Sequence, residues 1–157
     1  MPSRHRRIHG RARGGCTLSG WKTFEEFRIG DKAVFSKTIT EADILLFAGV
    51  SGDMYEVHVD EAYAKTTRFR GRIAHGMLTA SLLSTVNGAL LQRPGGISVS
   101  QTLHWKLPVY PGDTLTATSE VVEIMHERRR LRCKTTIVNQ KGEVVLAGEA
   151  IEQKDVL

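Results

Sequence analysis

Cysteine is scarce in this chain of 157 residues: Cys16 and Cys133 are the only two. They match no metal-ligand spacing and build no disulfide framework. Cys133 sits in a strand-like run, where it reads as a small core or surface hydrophobe. Long apolar runs are lacking too. No segment is long and apolar enough to cross a bilayer, and no apolar signal-peptide core follows the basic start. These absences make a reducing, soluble compartment the default: the cytoplasm, or an organellar matrix if the N-terminus is a targeting leader.

Acidic residues are missing from the first fourteen positions, MPSRHRRIHGRARG, which hold five arginines and two histidines. Such an arm can bind nucleic acid or another anionic surface. It can equally be a disordered tail, an upstream start or a transit-type leader. We take the plainer set first, so residues 1–18 are read as a disordered tail and nucleic acid is not expected as a partner. The net charge is +5, and removing those five arginines leaves a near-neutral domain over 19–157. The basic character therefore belongs to the tail.

What is present is organised around residues 49–91. A polar turn there carries Asp53 and His58, and an apolar run from Ile73 to Leu91 follows. That run predicts a helix apolar on nearly all sides, hence one wrapped by the rest of the chain. Ahead of it, Trp21 to Val34 reads as an entry segment and Lys32 to Ile39 as a first strand. A helix capped by Thr40 is expected to end near Gly49, and a second helix is expected to be capped by Asp60. Beyond the stop at Arg93–Gly96, four alternating segments joined by short turns predict an antiparallel meander, with a hairpin at Asn139–Gly142. One early strand, a long helix and four strands give an α+β layer arrangement: a sheet of about five strands curved around a long central buried helix.

An acid and an imidazole at Asp53 and His58 can share one water, one accepting its proton while the other donates. The plain alternative is a turn cap and a locally satisfied histidine. A metal held by Asp53, His58 and Asp60 lacks a third clustered histidine or cysteine. His75-Gly76-Met77 opens the long helix, where unpaired N–H groups and the dipole can polarise a carbonyl oxygen, and Gly76 permits close approach. Ser84 lies two turns on, either bonded back to its helix or facing a substrate. Arg128, Arg130 and Arg132 suggest a phosphate site on one strand face, against a solvated outer face; Arg68, Arg70 and Arg72 are equal candidates.

The motifs Ser51-Gly52-Asp53, His58-Val59-Asp60 and His75-Gly76-Met77, with ASLLS up to Ser84 and LHWKLPVYPGDTLTATSEV after it, resemble the MaoC-like dehydratases. The similarity is greatest to the (R)-specific enoyl-CoA hydratases of hot-dog fold, and it covers roughly residues 22–152. The resemblance implies a hydro-lyase of fatty acid metabolism that adds water reversibly across a 2-enoyl thioester, giving an (R)-3-hydroxyacyl product. Asp53 and His58 would be the catalytic dyad, the Gly76 amide would bind the thioester carbonyl, and Ser84 would position dyad or substrate. His75 and Tyr55 are counted with the substrate-binding residues. It further implies a homodimer, and no metal or redox cofactor, with coenzyme A or acyl carrier protein entering as part of the substrate. One departure stands out: Tyr55-Glu56 replaces the family's usual Asn-Pro. The rival readings are a hot-dog thioesterase and a non-catalytic acyl- or RNA-binding protein.

Overall fold

The computed structural model describes residues 22–91 and 95–154. The tail, Cys16 and Trp21 lie outside them. Phe24 opens a 3-10 turn at Phe24–Glu26 and Phe27 closes it; both are buried in the core, so the entry segment plugs the fold. Strand β1, Lys32–Thr38, follows. Thr40 caps helix α1, Glu41–Ser51, in a capping box with Asp43. The helix runs past Gly49 to Ser51, because Gly52 supplies the left-handed C-cap at φ 77°.

Two short helices come next, α2 at Glu56–Val59 and α3 at Glu61–Thr66. Asp60 caps α3 as expected, its Oδ1 accepting from the amides of Ala62 and Tyr63. The long helix, α4, spans Gly76–Leu90. It is not buried on all sides. Leu78, Leu82, Leu83, Val86 and Leu90 pack inward, while Met77, Ser81, Ser84 and Gly88 form an exposed stripe at i, i+4, i+7 and i+11.

The sheet is antiparallel and holds β2 (Gly96–Gln101), β3 (His104–Trp105), β4 (Thr114–Met125), β5 (Arg130–Val138) and β6 (Val144–Lys154) besides β1. Strands run in the order β1-β4-β5-β6-β2, with β3 also on β6. Only β4, β5 and β6 form the expected meander. The segment expected to open it returns instead to β6 and breaks in two. At the break the Thr102 amide donates to the Glu149 carbonyl, and a Cβ at Gly148 would collide with the Thr102 carbonyl. The inner face presents Leu115, Ala117, Val121, Leu131, Cys133, Ile137 and Leu146 to α4. This is the α+β hot-dog arrangement. Burial pushes the Cys133 thiol up to about 12, the property of an inert core residue.

The arginines of β5 lie against their own sheet. Arg128 falls in a 3-10 turn before the strand, Arg130 donates to Gln153, and Arg132 pairs with Glu123 and Glu149. Acids on neighbouring strands therefore occupy the face that sequence offered for phosphate. Arg72 is spoken for in the same way, by Glu41 and Glu61.

Candidate active site

Asp53 leaves the cap of α1 with its amide on the Ser51 hydroxyl at 3.2 Å, and its Oδ1 accepts from the Tyr55 amide at 3.2 Å. This Asx-type turn stiffens the loop locally, at the place where sequence shows Tyr55-Glu56. Glu56 then opens the one-turn α2, which the sequence had suggested would be loop, and that turn swings His58 inward. Tyr55 stands edge-on to His58 with ring centroids 6.1 Å apart, and its hydroxyl meets that of Tyr63 at 3.4 Å.

Two imidazoles face each other here. His58 and His75 stack with centroids 3.9 Å apart and planes 28° from parallel, and Phe47 lies 5.1 Å from the His75 ring. His58 Nδ1 sits 2.8 Å from the Ile73 carbonyl, and His75 Nε2 sits 2.9 Å from the Asp53 carbonyl. Carbonyl oxygens only accept, so each of these nitrogens carries the proton. A neutral His58 is then left with a lone pair on Nε2, the form a general base requires. Burial is the main cause holding its pKa below the ordinary 6.5, and the charge of His75 acts in the same sense. The Ile73 contact and Asp53 act the other way.

His75 is 1% exposed and its Nδ1 has no partner. Its Nε2 holds the Asp53 loop. The nearest polar atoms of Asp53, His58 and His75 all lie within 4.8 Å of one another. One carboxylate and two imidazoles are a conceivable cation set, with the third histidine that the sequence reading lacked supplied by His75. Asp60 is engaged as a helix cap and is not part of this cluster.

Gly76 begins α4 beside them. Its carbonyl accepts from Trp105 Nε1 at 2.9 Å, and a Cβ on it would stand 2.8 Å from that nitrogen. Only glycine fits under the indole. The first-turn N–H groups of a helix have no acceptor within it, so this end can receive an oxygen. A cavity of about 260 Å³ opens here, lined by His58, Gly76, Phe69, Trp105 and Val109, with Arg68 and Lys106 also on it. Ser84 is not brought to this cavity; it lines a second one near the C-terminal end of α4. Sequence reasoning missed the stacked histidine pair and the role of Trp105. The LHWKL segment was visible, but nothing in it told that its indole covers Gly76.

Residues 26–144 match the MaoC-like domain family. The chain belongs to that family. It is 48% identical over 127 residues to an (R)-specific enoyl-CoA hydratase of Rhodospirillum rubrum, covering 81% of this chain and 88% of that one. It is 41% identical over 128 residues to a 3-hydroxybutyryl-CoA dehydratase of Methylorubrum extorquens, covering 82% and 81%. Among solved structures, the (R)-hydratase of A. caviae superposes with TM-score 0.79 at 37% identity, covering 83% of this chain and 99% of that one. Among the described residues, no helix is long and apolar enough to cross a membrane.

Proposed function

We propose that this chain reversibly hydrates trans-2-enoyl thioesters to (R)-3-hydroxyacyl thioesters. One observation carries the reading: His58 lines one cavity with the open helix start at Gly76, and a carboxylate oxygen of Asp53 lies within 4.8 Å of a His58 ring nitrogen. A water between the two side chains loses a proton to His58 as its oxygen bonds C3. The electrons of the double bond move onto the thioester, where the Gly76 amide stabilises the developing oxyanion. The Asp53 carboxylate orients the water, and His58 passes the proton it has taken to C2, so one water is added overall. Only acid–base chemistry is required.

Tyr55, edge-on to the His58 ring, would shape the site, and His75, stacked on the same ring, would support His58 rather than touch substrate. The carrier is coenzyme A or acyl carrier protein, with Arg68 and Lys106 at the mouth. Strand β2 ends the sheet with Ile97 and Val99 exposed, and pairing there with a second copy fits a homodimer.

The test is hydration of crotonyl-CoA, followed by loss of enoyl absorbance and chiral analysis of the product. The expected result is the (R)-3-hydroxy product, with kcat/KM falling on acidification at a midpoint below 6.5 as His58 charges. Release of free thiol without hydration would mean a thioesterase. Binding without turnover would mean an acyl-binding protein.

A further inference from the structure

The dyad is carried by short pieces of chain. Asp53 follows the cap of α1, His58 lies in the one-turn α2 just ahead of α3, and His75 ends the stretch that leads into α4. Helices of four and six residues, such as α2 and α3, have little stability of their own. One side chain joins these pieces. Arg72 Nη2 donates to Glu41 Oε1, in the first turn of α1, at 2.7 Å. Its Nε donates to Glu61 Oε2, in the first turn of α3, at 3.3 Å. The Arg72 backbone amide donates to that same Glu61 oxygen, also at 3.3 Å.

What this clamp holds is the next residue. Ile73 runs beside α2, its amide donating to the Val57 carbonyl at 3.2 Å and its carbonyl accepting from His58 Nδ1 at 2.8 Å. The bond made by one ring nitrogen decides which nitrogen of a neutral histidine carries the proton. The Ile73 carbonyl is therefore the atom that keeps Nε2 of His58 basic. The chain reaches Arg72 through Arg70, a non-glycine residue at φ 58°, and Gly71. A left-handed conformation there is strained and persists only where the surroundings hold it.

We propose that Arg72 is a positioning residue for the hydration: by pinning Ile73 between α1 and α3, it sets the tautomer and the aim of His58. The inference rests on the hydratase reading above. A guanidinium suits the task, because its fork gives Nη2 to one acid and Nε to another, whereas an ammonium is a single point charge. The two acids are 53% and 47% exposed, and ion pairs so placed contribute little to stability. Loss of the clamp should therefore register in catalysis more than in Tm.

The experiment compares the wild type with Arg72→Met, Arg72→Lys and the double variant Glu41→Gln, Glu61→Gln. Three readouts are taken: crotonyl-CoA hydration, Tm, and nitrogen-15 resonances of labelled histidine, which separate the two neutral tautomers. Arg72→Met should lower kcat about tenfold with KM within about twofold, since a small displacement of a catalytic group is costly in rate. Its His58 signals should move from the Nδ1–H tautomer toward a mixture. Arg72→Lys should recover part of both. The double variant opens the clamp from the acidic side and should behave as Arg72→Met does, which keeps the test available if that variant does not fold. An unchanged kcat in the folded variants, or a fall in kcat with the His58 tautomer unmoved, overturns the proposal. A wild type that turns over no crotonyl-CoA sinks the hydratase reading, while the tautomer signals still decide whether Arg72 aims His58.

Discussion

At the N-terminal end of α4 the polar side chains are held by the backbone: His58 on Ile73, His75 on Asp53, Asp53 on Tyr55. At the C-terminal end of the same helix, Glu152 and Asn87 are buried with acceptors left open. The first arrangement is pre-organised, since each contact fixes an orientation before any substrate arrives. The second is an interior in which burial without partners costs stability. One helix thus borders two kinds of interior, held by backbone contacts where protons move and short of partners at the far end.

If rigidity at the N-terminal end depends on His75, removing its contacts should be expensive. His75→Phe keeps a ring against His58 but loses the donor to Asp53, while His75→Gln keeps a donor and loses the stack. We expect kcat to fall roughly 10²-fold in the first variant, the scale of a small misplacement of catalytic groups. KM should change little. Gln should recover part of kcat, and the acid limb of its pH profile should move up, because the charge of His75 helps hold the His58 pKa down. Equal losses in kcat with unmoved pH profiles would reduce His75 to a packing residue.

At the other end the expected effect is smaller and concerns stability. The folded Glu152 carboxyl titrates at about 7, above its ordinary 4.5. An unfolded chain gives up this proton first as pH rises, so stability falls through that window. Glu152→Gln should therefore raise Tm more above neutrality than below about pH 4.5. A Tm difference independent of pH would mean that the carboxyl finds a partner in solution.

The sequence carried the local rules well. Thr40 and Asp60 announced their helices because an oxygen side chain before an acid-rich or apolar segment has few other uses. Asn139–Gly142 announced its hairpin, where Asn139 Oδ1 accepts from Lys141 and Glu143. Strand order was not available from alternation, which reports the faces of a strand but not its neighbour. The return of β2 to β6 needs the Gly148–Thr102 approach, a contact between positions far apart in the chain. The exposed stripe of α4 was hidden because its few small polar positions, Ser81 and Ser84, are outnumbered by the apolar residues around them. At the site, the motif placed Asp53, His58 and Gly76 together, yet the His58–His75 stack comes from the turn of α2, which Tyr55-Glu56 did not signal. Glu152 gave no warning at all, since alternation marks it as inward-facing only once the register is known.

The measurement that tests the central claim most directly is the rate of crotonyl-CoA hydration by the wild type, Asp53→Asn and His58→Ala, each with its Tm recorded. Asp53 is exposed, so its substitution should leave Tm nearly unchanged. The account predicts an active wild type and losses of at least about 10³-fold in kcat for both variants, within the range for removed general acid–base groups. Hydration that persists near the wild-type rate in either folded variant would contradict it.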